Sequence, residues 1–134
     1  YSVYINPKSI VYHLGGETLS YNSSYKTYLN HRNSMLLLLS NYNRINTIKL
    51  LMPRLFMELI SIIKDIITLR PHHAFAQILA LVWIIFHPNI ILSKRSSIKR
   101  MREITDHKML NDIIFNKSIV YQYFIKNIKK YSEL

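Results

Sequence analysis

The stretch RLFMELISIIKDIIT, residues 54–68, decides the fold class. Its polar members Arg54, Glu58, Ser61, Asp65 and Thr68 follow one another at spacings of four, three, four and three. Residues so spaced share one side of an α-helix, and Leu55, Phe56, Leu59, Ile60, Ile63, Ile66 and Ile67 cover the rest of its surface. A strand would need strict alternation, which is absent. The stretch is therefore the amphipathic part of a helix that the sequence predicts over roughly Thr47 to Leu69, kinked or restarted at Pro53 and ended by Pro71.

Outward from this helix the pattern stays helical. Toward the N-terminus a helix is expected from about Tyr25 to Asn41, apolar from Met35 to Leu39 and followed by the punctuation Asn41, Tyr42, Asn43. Toward the C-terminus a helix from about His73 to Phe86 is apolar on every side after Ile78. Gln77, His87, Pro88 and Asn89 break the run short of the 20 or so apolar residues that a spanning helix needs, so it is expected to be buried or interfacial. The basic cluster Lys94, Arg95, Lys99, Arg100 and Arg102 follows. Two short helices are expected between Asp106 and Leu134, with Lys126, Lys129 and Lys130 beside Tyr123, Phe124, Ile128 and Tyr131. Only the beginning differs. Val3 and Ile5 alternate with polar residues, Asn6 and Pro7 make a turn, and Ile10, Val11 and Tyr12 are strand formers, so residues 1–12 are expected to be extended.

The 134 residues carry a formal net charge of +11, yet 49% of them are apolar. The first figure calls for anionic partners and the second rules out a disordered basic tail. There is no cysteine, which excludes disulfides and thiolate metal sites. Residues 1–11 lack the basic start, apolar run and small-residue cleavage site of a signal peptide.

The chain's two glycines, Gly15 and Gly16, are adjacent and follow His13. A neutral imidazole can bind a divalent metal or donate to a phosphate, and two glycines let consecutive backbone amides approach an anion. His13, Gly15, Gly16 and Thr18 are thus the candidate loop for a diphosphate or metal; the plainer reading is a histidine at a strand end beside a tight turn. His72 and His73 are adjacent, so they do not make the pair four apart that a helical zinc site needs.

Ile5, Pro7, Ser9, Val11, Tyr12, His13, Gly15, Gly16 and Thr18 resemble the end of the catalytic domain in bacterial family 2 glycosyltransferases of the GT-A type. Lys26, Tyr28, Asn30, Arg32 and Asn33 are similar to the helix that follows there, Ser40, Asn41 and Tyr42 to its close, and residues 116–134 to the C-terminus of many members. The resemblance brackets nearly the whole chain. It implies a mainly α fold: a short N-terminal strand pair, the last edge of a GT-A α/β domain, in residues 1–24, then an amphipathic, partly interfacial helical extension in residues 25–134. It implies that the whole enzyme moves a sugar from a nucleotide-sugar donor to a glycan acceptor, often lipid-linked, in cell-surface polysaccharide synthesis, with a divalent metal (Mg or Mn). His13 would close over the donor diphosphate or metal, and Arg32 would touch a phosphate.

The chain also departs from the family. It has no two-aspartate motif, so this segment alone is expected to be inactive and to need no cofactor. Glu17 stands where a small residue is usual, Ser40 where a lysine is usual, and His31 where an aromatic is frequent. The basic cluster and amphipathic helices predict an anionic membrane surface as partner, at the inner face of the cell membrane on the cytoplasmic side. Nucleic acid is not expected, because the cluster lacks interleaved aromatics and no helix-turn-helix, zinc or RNP-like motif is present. The alternative is a small basic membrane-interface helical protein without catalysis.

Overall fold

A computed structural model describes residues 6, 8–10, 12, 22–113 and 119–130. In chain order they form α1 (Ser24–Asn41), α2 (Arg44–Ile67), α3 (Pro71–Phe86), α4 (Pro88–Met101), α5 (Asp106–Lys108), a wide π-type turn (Met109–Ile113) and α6 (Ile119–Phe124).

Local chemistry sets the helix ends. Ser23 caps α1, its Oγ accepting from Lys26 N at 3.4 Å, and Asn43 caps α2, its Oδ1 accepting from Asn46 N at 2.8 Å. Helix α2 runs through Pro53 as one element. It closes at Leu69, which adopts φ 57° while Arg70 N donates to Asp65 O at 2.8 Å and Leu69 N to Ile66 O at 3.1 Å. That is a Schellman closure, with leucine in the left-handed place that glycine usually takes. Pro71 opens α3 and Pro88 opens α4, at first-turn positions where a missing N–H costs nothing. The segment after Phe86, expected as an interruption followed by a basic cluster, is a helix of its own.

The expected N-terminal strand pair is corrected: among the described residues there is no strand. Around Asn6 the backbone closes on itself, Asn6 Oδ1 accepting from Lys8 N and Asn6 O from Ser9 N, both at 3.1 Å. An Asx turn of this kind uses the donors that a ladder would need, and a two-stranded ribbon without a sheet to join is marginal in water. Ile10 and Tyr12, chosen as strand formers, are exposed. His13, Gly15, Gly16 and Thr18 lie outside the described residues.

The chain divides into two compact units, residues 1–35 with 56–86 and residues 36–55 with 87–134. In the first unit, what packs inside is small or polar apart from Met35. Ala74, Ala76 and Ala80 are buried beside His73 and Gln77 on α3, Met35 on α1, and Glu58 and Asp65 on α2. The large apolar side chains face outward: Ile67 is 72% and Phe86 75% exposed, whereas Glu58 is 2% and Gln77 1% exposed. The amphipathic pattern of α2 is therefore inverted relative to a helix on a water-bathed core. In the second unit, Ser40, Thr47, Asp106 and Gln122 are the buried residues among those described.

Candidate functional site

In the first unit three pairs of inward polar groups join the helices, while Gln77 Oε1 has no hydrogen-bond partner among the described residues. Thr27 Oγ1 meets His73 Nδ1 at 2.7 Å, His31 Nδ1 meets Glu58 Oε2 at 2.5 Å, and Gln77 Nε2 donates to Asp65 Oδ2 at 2.5 Å. These pairs join α1 to α3, α1 to α2, and α2 to α3, and they satisfy groups that would otherwise be costly to bury. Alanines at positions 74, 76 and 80 let α3 come close. Opposite this interior, Phe56, Leu59, Ile60, Ile63, Ile66 and Ile67 on α2, and Phe75, Ile78, Leu79, Val82, Ile85 and Phe86 on α3, are all exposed.

Arg32, the expected phosphate contact, is half-buried on α1. Its guanidinium lies over Tyr28 at 5.2 Å and over Trp83 at 5.0 Å from the ring centroids, and donates to Asn33 Oδ1 from Nη2 at 2.9 Å. Two aromatic faces hold the charge by cation–π attraction. On α1 near this arginine, Tyr25 and Tyr28 stack at 6.1 Å and, with His72, Phe75 and Leu79 of α3, line a shallow cavity of about 410 Å³. The sequence pattern did not mark this cavity, because its two walls lie almost fifty residues apart.

The second unit holds most of the basic residues. Arg95, Lys99 and Arg102, spaced by four and three, share one side of α4 and its end. They line a cavity of about 460 Å³ with Ser40, Tyr42, Asn43 and Arg44 from the α1–α2 turn and with Leu92 and Ser96. Of the expected basic patch, Lys94 and Arg100 do not line it. Arg44 joins it from far away in sequence.

Arg95 is a fastening. Its Nη1 donates to Leu39 O at 2.5 Å and to Thr47 Oγ1 at 3.2 Å, and its Nη2 to Tyr42 O at 3.0 Å. Helix C-terminal carbonyls lack intrahelical partners, and a guanidinium fork supplies several donors at once. Arg95→Lys keeps the charge but cannot reach three acceptors in a fixed plane. The expected result is a loss of about 1–3 kcal/mol in a denaturant melt; an unchanged midpoint would show that the fork is dispensable.

Asp106, which the sequence did not single out, is the counterpart. It is 3% exposed. Its Oδ2 accepts from Asn43 N at 2.6 Å and Asn46 Nδ2 at 3.2 Å, and its Oδ1 from Arg102 Nη1 at 2.5 Å. One carboxylate thus caps the N-terminus of α2 and anchors an arginine of the cavity wall. An acid directly after Thr105, which caps α5 through Lys108 N at 3.4 Å, was the available signal.

Among the described residues no group of three or more histidine and carboxylate side chains is placed to hold a metal ion. No protein-family model, no curated protein and no solved structure matches the chain.

Proposed function

We propose that this chain is the membrane-docking helical segment of a family 2 glycosyltransferase. The whole enzyme would transfer a sugar from a nucleotide-sugar donor to a lipid-linked glycan acceptor at the cytoplasmic face of the cell membrane. The observation that carries the docking role is the inversion of α2 and α3, which turns large apolar side chains outward and pairs polar ones inside. Fully burying one such leucine, isoleucine or phenylalanine stabilises by about 1.5–3 kcal/mol, so a dozen left in water is a large unmet demand. Small and hydrogen-bonded polar residues between helices, with apolar ones outside, is the arrangement a lipid environment selects.

Among the described residues no single helix is long and apolar enough to cross a membrane. Helices lying in the headgroup region meet the same demand, and the net charge of +11 draws them to anionic lipid. The transferase half of the proposal is supported by the order and spacing of the residues from Ile5 to Tyr42 and at 116–134. It gives the docking surface a purpose, since a lipid-linked acceptor has to be met at the bilayer.

Co-sedimentation with vesicles tests the docking role. Binding to vesicles containing phosphatidylglycerol is expected, weakened but still measurable at about 0.5 M salt, because salt screens the charges and not the apolar contact. Failure to bind anionic vesicles at low salt would overturn it. The transferase half is tested separately, by whether the gene encodes a two-aspartate motif in frame ahead of Tyr1.

A further inference from the structure

The geometry points to a phosphate-binding site in the second unit, in the cavity between the α1–α2 turn and α4. The site is independent of the apolar face of the first unit and does not need it. The chemistry it fits is a terminal phosphate or diphosphate, carried either by a lipid headgroup or by a soluble molecule.

Three observations converge on it. The wall contains Arg44, Arg95, Lys99 and Arg102 and no carboxylate. Asp106, just behind Arg102, offsets only that one charge. Arg95 and Arg102 are held in place by backbone carbonyls and by Asp106, so two of the four cations are fixed in advance. Arg44 and Lys99 form no ion pair among the described residues and have their charge available to a ligand.

The third observation is Ser40. It is 4% exposed, and its Oγ has no hydrogen-bond partner among the described residues. A buried hydroxyl without a partner costs about 1–3 kcal/mol, so an orphan of this kind in the wall of a cationic cavity marks a missing acceptor. A phosphate oxygen is such an acceptor, and the surrounding cations prefer it to a neutral one. The cavity, at about 460 Å³, is larger than a phosphate group alone requires. Leu92, 65% exposed, gives it an apolar lip along which a chain attached to the phosphate can run.

Titration calorimetry on the full chain tests the site, with inorganic pyrophosphate as the soluble probe. A parallel arm compares vesicles carrying phosphatidic acid, a phosphomonoester, with vesicles of equal charge carrying phosphatidylglycerol, a diester. Saturable binding of pyrophosphate, or a preference for phosphatidic acid at matched charge, supports the site, and the arm that responds identifies the source. Lys99→Gln and Ser40→Ala are each expected to weaken that binding by about tenfold, in line with the loss of one charge-assisted hydrogen bond. Neither side chain holds the fold together, so both variants are expected to melt like the parent. Two results would overturn the site: no binding of pyrophosphate together with no preference between the vesicles, or binding that both variants leave intact. Either could occur with vesicle docking through the apolar face unchanged, which keeps the two ideas separately testable.

Discussion

The triple replacement Phe56→Ser, Ile63→Ser and Ile67→Ser is expected to lower partition into anionic vesicles by roughly a thousandfold. The three residues lie on the outward side of α2 and are 60%, 46% and 72% exposed. If that side enters the headgroup and acyl boundary, each loses on the order of 1.5 kcal/mol of transfer free energy, and three together lose about 4–5 kcal/mol. Substitutions on a surface that only meets water change stability by about half a kcal/mol or less, so the helical content of the chain should survive. Partition isotherms read the effect, and circular dichroism confirms the fold. Lys94→Gln is the comparison: loss of one charge near an anionic surface should weaken binding about fivefold, and only at low salt. A triple variant that partitions like the parent would mean that α2 does not face lipid.

Asp106→Ala is expected to be the most destabilising single substitution in the second unit. It removes the acceptor for the Asn43 amide and the Asn46 side chain, and it leaves the Arg102 guanidinium, 27% exposed, without its counter-ion. Breaking a buried pair from one side costs about 3–5 kcal/mol, and the lost hydrogen bonds from Asn43 N and Asn46 Nδ2 add about 1 kcal/mol. For a chain of this size that corresponds to a fall in melting temperature of roughly 10 °C or more, read by circular dichroism. Asp106→Asn retains one oxygen for the Asn43 amide and should lose about half as much. A melting temperature within a degree or two of the parent for Asp106→Ala would show that this carboxylate does not organise the unit.

Several of the residues that define both features were legible in the sequence for local reasons. The four-three spacing of Arg54, Glu58, Ser61, Asp65 and Thr68 marked one side of α2, and Arg95, Lys99 and Arg102 stood out as members of a basic cluster, though not as one side of a helix. What failed was the extended start: residue types that favour strands form them only beside a partner strand, and Asn6 satisfies the nearby backbone donors instead. Asp106 and Arg44 were missed because each is unremarkable alone, and Ser40 was marked only by the family resemblance and not as part of a cavity. Asp106 meets Asn43 across 63 residues, and Arg95 meets Leu39 across 56.

By itself the sequence determined that the stretch from about Tyr25 to Phe86 is helical and that the molecule is strongly basic, though not that α4 is a helix. Those properties follow from interactions within four or five residues and from a sum of charges. Only the tertiary structure decided that the polar stripe of α2 points inward, toward His31 and Gln77. Periodicity says that a helix has two faces; which face is buried depends on what lies beyond it, and the same pattern serves a core in water or a surface in lipid. The closing of four distant cations and one unpartnered serine around a single cavity was likewise a tertiary result, since no local rule brings residue 40 to residue 99.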